Sequence, residues 1–167
     1  HADVFGAMMA AQEKAKAALG NGYDVCGKDG FHPGPNGHLL MAYAFLKGLG
    51  IDGQIGTITV DLKGKAASSE GHKIVGEESG KVELESSPYP FCFVGDEKSS
   101  TGTKSILPFI PFNADLNRLT LVVKNVDGAS AKVTWGAASK SFKKEDLEKG
   151  VNLSDDPHAS PERSGLG

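Results

Sequence analysis

The sequence predicts an α+β chain: two helices followed by an antiparallel, sandwich-like β module. Three observations carry that expectation. Apolar residues recur at helical spacing over the first 50 residues, the period changes from 3.6 to 2 near residue 54, and turn signals punctuate the remainder. Glycine accounts for 22 of the 167 residues, well above the usual share of ~7%, which fits short elements joined by many turns.

In the first helix Phe5, Met8, Met9, Ala15 and Leu19 share one face, interrupted by Gln12 and Lys16, while Glu13 and Lys14 fall elsewhere. Gly20-Asn21-Gly22 stops it, because these residues accept the left-handed conformation that closes helices. Tyr23-Asp24-Val25-Cys26 reads as a short strand or an extended connection. A second helix is expected from near Asn36, a good N-cap, to about Leu49. Its stretch from Leu39 to Leu46 is apolar nearly all round and calls for cover on more than one side.

Beyond residue 54, Ile58, Val60 and Leu62 alternate with Thr57, Thr59 and Asp61. Val82 and Leu84 alternate with Lys81, Glu83 and Glu85, and Ala131, Val133 and Trp135 with Lys132 and Thr134. Leu119, Leu121 and Val123 form a more continuous apolar run. Turn signals at Gly71, Gly76, Gly80, Gly95-Asp96, Gly102 and Asp127-Gly128 separate these strands. A short helix over 143–149 ends at Gly150. Residues 1–52 are thus read as the helical part and 53–153 as the β-rich module. Residues 154–167, with almost no apolar side chain, are read as a disordered tail.

The chain is long enough to bury a core. A net charge of -3 gives no electrostatic case for nucleic acid or an anionic membrane surface. No apolar run approaches the ~20 residues of a membrane span. Cys26 and Cys92 are read as separate thiols rather than a disulfide, with Phe91-Cys92-Phe93 taken as core. The start His1-Ala2-Asp3-Val4-Phe5 is neither a signal peptide nor an initiator methionine, so the chain is read as an internal piece of a longer protein.

The chemistry concentrates in Asp29-Gly30-Phe31-His32-Pro33, followed by Gly34-Pro35-Asn36-Gly37-His38. A hydroxyl or water nucleophile at neutral pH needs a base, and histidine suits that task. A neighbouring carboxylate holds the imidazole in one tautomer and stabilises its charged form. In a tight turn Asp29 and His32, three residues apart, can meet without help from distant chain, and Pro33 restricts His32 to an extended backbone. The competing reading makes Asp29 a turn cap and His32 a surface residue.

The other candidates are weaker. His38 is read as structural, bonding a loop carbonyl from the first turn of its helix, and His72 as a loop or strand-edge residue. No two histidines or cysteines have a usual ligand spacing, so neither a metal nor another cofactor is implied. Trp135 offers a ring for stacking on sugar, although a lone Trp in an alternating strand ordinarily belongs to the core. No Gly-x-Ser-x-Gly elbow is present, and Ser68-Ser69, Ser86-Ser87 and Ser99-Ser100 fall in loops. No nucleophile is assigned.

The run Asp29-Gly30-Phe31-His32-Pro33, with Asn36-Gly37-His38 and the apolar helix after it, resembles the last sequence block of the SGNH, or GDSL-type, hydrolase superfamily. That block reads Asp-x-x-His-Pro, then Gly-His and an apolar helix. The match covers roughly residues 1–50. It implies that the two helices come from the C-terminal edge of a three-layer α/β/α, flavodoxin-like domain. It further implies that His32 is the general base and Asp29 its orienting partner, serving a serine in a Gly-Asp-Ser motif that this sequence lacks. Residues 54–153 look like the β-rich extension of some bacterial SGNH-type proteins. The resemblance therefore implies a fragment of a serine esterase acting on small-molecule or glycan esters such as acetylated sugars. Its nucleophile would lie in a missing upstream portion, the isolated chain would be inactive, and secretion would suit work on polysaccharide. The alternative is a non-catalytic β-sandwich module that binds carbohydrate or protein.

Overall fold

The computed structural model describes residues 1–136 and 138–155. The chain is α+β, as its two periodicities predict. It forms two compact units, one of residues 1–53 and 92–116, the other of 54–91 and 117 onward. Residues 92–116, which the sequence reading put in the β-rich part, thus pack with the helices.

In the first unit, α1 spans Val4–Leu19 and is capped by Asp3, whose Oδ1 accepts the Gly6 N–H at 2.8 Å. It packs against α2, Pro35–Gly48. Of the predicted face, Ala15 is buried and Met8 and Leu19 pack against the core, whereas Phe5 (77% exposed) and Met9 face outward and Ala11 is buried in their stead. The two alanines let the neighbouring chain come close, and they form one core with Leu40, Tyr23, Val25 and Ile106. Ile106 comes from a 3-10 turn, Lys104–Phe109, and a further short helix, α3, spans Phe112–Leu116. Asp115 ties α3 to α2 by accepting the Tyr43 hydroxyl at 2.8 Å and pairing with Lys47 Nζ at 2.9 Å. Burial and that carboxylate push the Tyr43 hydroxyl up to about 12. No disulfide joins Cys26 and Cys92, and Cys92 is exposed rather than core, because Phe93 rather than its neighbours turns inward against Phe112.

The second unit contains β1 (Gln54–Asp61), β2 (Ala67–Ser68), β3 (His72–Glu78), β4 (Lys81–Ser86), β5 (Arg118–Lys124), β6 (Ser130–Trp135), β7 (Ala138–Lys143) and β8 (Val151–Asn152). One sheet has the order β2-β1-β5-β8, and β3–β4 and β6–β7 are separate hairpins. The pairing is antiparallel except between β1 and β5, where Ile58 lies opposite Leu121 in a parallel ladder. This departs from the expected all-antiparallel module. The chain between them, which includes β3–β4 and residues 92–116, is long enough to return to the same sheet end.

Alternation reads directly as burial in this unit. Leu119, Leu121 and Val123 of β5 are all buried and meet Ile58, Val126, Leu147 and Leu153 in one core. Leu147 is delivered by α4, Lys144–Lys149, which ends at Gly150 with φ 107°. Leu62 lies beyond β1 and is 45% exposed, so its part in the predicted alternation fails. Ser154, assigned to the tail, is instead buried within a 3-10 turn, Leu153–Asp155, because Leu153 anchors that turn in the core. The rest of the predicted tail, 156–167, lies outside the described residues.

Truncating Leu147, which is fully buried, should cost about 2–5 kcal/mol as Leu147→Ala, whereas Phe5→Ala should stay within about 0.5 kcal/mol. Urea denaturation of the two variants checks this ranking; equal losses would contradict the burial pattern.

Candidate active site

The Asp29–His32 turn is positioned by a buried polar cluster beneath it. Asn36 does not cap α2. Gly34 occupies the cap position and Pro35 the first helical position, where its fixed φ suits the helix and no N–H is wasted. The Asn36 side chain turns inward and is fully buried. Its Nδ2 donates to the Asp24 carbonyl at 2.7 Å and to Tyr23 Oη at 3.2 Å, and its Oδ1 accepts the Gly37 N–H at 2.8 Å. With Asn36 donating to it and Ser105 donating to the Gly102 carbonyl, the Tyr23 hydroxyl donates to buried Ser105 Oγ at 2.7 Å.

Two glycines make the path possible. A Cβ on Gly37 would sit 2.0 Å from the Val25 carbonyl oxygen, so only glycine lets the extended segment cross the start of α2. Gly27 has φ 74°, and a Cβ there would sit 2.3 Å from the His32 carbonyl oxygen. Between them the chain folds into a turn closed by Gly30 N–H donating to Gly27 O at 3.0 Å.

Asp29 organises this turn. Its Oδ1 accepts the N–H groups of Phe31 and His32, each at 3.0 Å, which is the local side-chain-to-backbone pattern typical of Asp in turns. Its Oδ2 meets His32 Nδ1 at 2.6 Å. The His32 hydrogen bond, aided by the two backbone donors, holds the Asp29 carboxyl down to about 2. An ionised Asp29 accepts the Nδ1 proton, so Nε2 of the neutral imidazole carries the lone pair. Among the described residues Nε2 makes no hydrogen bond. The Phe31 ring stands edge-to-face to His32, with centroids 5.1 Å apart, and His32 is exposed over 80% of its side chain. The same Asp29 carboxylate therefore closes the turn and holds the His32 ring. The arrangement can accept a proton at Nε2 and stabilise the resulting imidazolium from below.

The other candidates lie elsewhere. His38 sits exposed on the first turn of α2, and its ring makes no hydrogen bond among the described residues, so the expected loop-carbonyl contact is absent. His72 is not a loop residue: it is buried at the start of β3, where Nε2 donates to the Ile55 carbonyl at 3.0 Å and Nδ1 accepts from Ser86 Oγ at 2.8 Å. Both nitrogens are committed there. Trp135 is half-buried at the end of β6, against the second unit's core. Among the described residues no three His, Cys, Asp or Glu side chains come together as a metal site would need. No helix is long and apolar enough to cross a membrane. The inward Asn36–Tyr23–Ser105 chain was not foreseen, because an Asn ahead of a helix ordinarily signals a cap.

No protein-family model matches the chain, and no curated protein matches it. A solved structure does: BT4096, described as a gut microbial diltiazem-metabolizing enzyme, superposes with a TM-score of 0.67 at 24% identity. The match covers 91% of this chain and 36% of that one, so the chain spans about a third of its neighbour's length. That likeness shows a shared fold.

The depressed Asp29 carboxyl carries a pH signature. Its folded value lies below its ordinary one of 3.8, so the stabilisation it gives is present above about pH 4 and is lost as pH falls through about 2. NMR titration of the Asp29 carboxyl should show a midpoint near 2, returning toward 3.8 in His32→Ala. An unchanged midpoint in that variant would contradict the pairing.

Proposed function

We propose that this chain carries the general base, His32, and its orienting carboxylate, Asp29, of an SGNH-type serine hydrolase acting on ester bonds. The observation that carries this reading is the 2.6 Å Asp29–His32 bond, which leaves Nε2 open to a reacting group. Two further facts support it. The Asp-x-x-His-Pro and Gly-His pattern matches the superfamily's last block. The fold recurs in BT4096, described as a gut microbial diltiazem-metabolizing enzyme.

In this reading a serine hydroxyl attacks the ester carbonyl as its proton passes to His32 Nε2. Asp29 keeps the imidazole in the tautomer that can receive it and stabilises the cation that forms. His32 then delivers that proton to the departing alcohol. A water molecule repeats the sequence in reverse and frees the acid. The serine and the oxyanion donors belong to a portion outside these 167 residues, with an acetyl ester of a small molecule or glycan as substrate.

A His–Asp pair without a nucleophile has nothing to activate. The 167-residue chain should leave p-nitrophenyl acetate at its background rate of hydrolysis. In a longer protein that includes it, His32→Ala should lower kcat about a thousandfold or more, with Asp29→Asn also severe. Robust turnover by the 167-residue chain, lost in His32→Ala, would mean that the nucleophile lies within it. Full activity of His32→Ala in the longer protein would overturn the assignment.

A further inference from the structure

A cavity of about 300 Å³ opens in the second unit, walled by the β6–β7 hairpin on one side and by α4 and β8 on the other. That volume lies at the small end of the range for ligand sites, about one or two sugar rings. Its walls combine two aromatic rings, Trp135 and Phe142, with five polar side chains, Ser139, Lys140, Asp146, Asn152 and Asp155. Lys140 Nζ lies 5.4 Å from the centre of the Phe142 ring, so cation and ring are already matched to each other. Asp155 receives Asn152 Nδ2 at 3.3 Å, and burial raises its carboxyl above the ordinary value.

We propose that this cavity binds a neutral saccharide, one ring lying on Trp135 and its hydroxyls bonding Asp155, Lys140 and Ser139. The lining selects this class by elimination. A wholly apolar ligand would take Ser139, Lys140, Asp146 and Asp155 out of water while offering them no hydrogen bond, at a cost that contact with two rings does not repay. An anion would meet Asp146 and Asp155, and a cation would meet Lys140. A sugar ring presents an apolar C–H face to an aromatic ring and carries hydroxyls that both donate and accept. It therefore satisfies carboxylate, ammonium and serine together. An adjoining cavity of about 260 Å³, lined by Ile58, Val82, Leu84, Val123 and Val133, also reaches Trp135. Its lining is mainly aliphatic, with Lys132 and Thr134 as its polar side chains, and it offers a sugar no carboxylate to accept from its hydroxyls. All its lining residues belong to the second unit, and the proposal stands whether or not Asp29 and His32 serve an ester.

Trp135 is the chain's single tryptophan and borders both this cavity and the apolar one beside it, so its emission reports on either, and the Asp155 and Lys140 variants tell them apart. The 167-residue chain is titrated with xylohexaose, cellohexaose, mannohexaose and tetra-N-acetylchitotetraose. At least one should give a saturable emission change with a Kd below about 1 mM. Asp155→Ala and Lys140→Ala should each weaken it about tenfold or more with unchanged far-UV circular dichroism, since each removes a charged hydrogen-bond partner. Trp135→Phe should weaken binding measured by calorimetry, and His32→Ala should leave it intact. No saturable change with any of the four sugars overturns the proposal. So does binding that survives both Asp155→Ala and Lys140→Ala, which would put the sugar elsewhere.

Discussion

The inward turn of Asn36 is the constraint on which the first unit depends. Every polar atom of this buried side chain has a partner, and the partners belong to different stretches of chain: the Asp24 carbonyl, the Tyr23 hydroxyl and the start of α2. Tyr23 extends the chain of bonds to Ser105, more than eighty residues away in sequence. A buried amide of this kind stabilises modestly when complete but costs about 1–3 kcal/mol for each group left unpaired. The network therefore specifies one arrangement rather than merely favouring compaction. Once Asp24 and Gly37 are pinned together, the residues between them must close as a loop of fixed span. Gly27 and Asp29 then determine how that loop turns, and the Asp29–His32 contact follows from a framework in which neither residue is buried.

The second unit is held by apolar contact instead. Leu119, Leu121 and Val123 run through the middle of its largest sheet, and α4 adds Leu147 over them. A polar rivet joins β1 to the β3–β4 hairpin: His72 bonds the Ile55 carbonyl on one side and Ser86 on the other. Gly56 makes room for it, since a Cβ there would sit 2.1 Å from His72 Nε2. The contrast between the units is one of chemistry. In the first, satisfied polar groups fix a turn; in the second, side-chain alternation fixes a sheet.

That contrast also explains what the sequence could reveal. Alternation over Ile58–Val60, Val82–Leu84 and Leu119–Val123 located β1, β4 and β5 because period 2 is local information. The spacing of Asp29 and His32 was equally local, and the pair forms within one turn. What escaped was non-local. The parallel pairing of β1 with β5 depends on where a long connection returns. The burial of Ala11 and the exposure of Phe5 depend on how near α2 approaches. The burial of His72 depends on an absent Cβ in another strand, and the fate of Asn36 on Tyr23 and Ser105. Each of these is decided by a neighbour that no window of sequence contains.

The exposure of the Asp29–His32 pair bears on how it can work. His32 and Asp29 keep 80% and 56% of their side chains in contact with water. In that setting a charged pair is screened and contributes little beyond geometry. A base that must take a proton from a serine gains its advantage when water is excluded and the imidazolium is stabilised by a fixed carboxylate at low dielectric. Under the proposed function, the turn therefore supplies alignment, and the remainder of the enzyme supplies the dry surroundings. Phe31 is placed for that closure: its ring stands against His32 yet remains 78% exposed, offering apolar surface beside the one nitrogen left open. On that proposal the local fold sets the direction of proton transfer, and its driving force comes from whatever surface would cover Phe31 and His32.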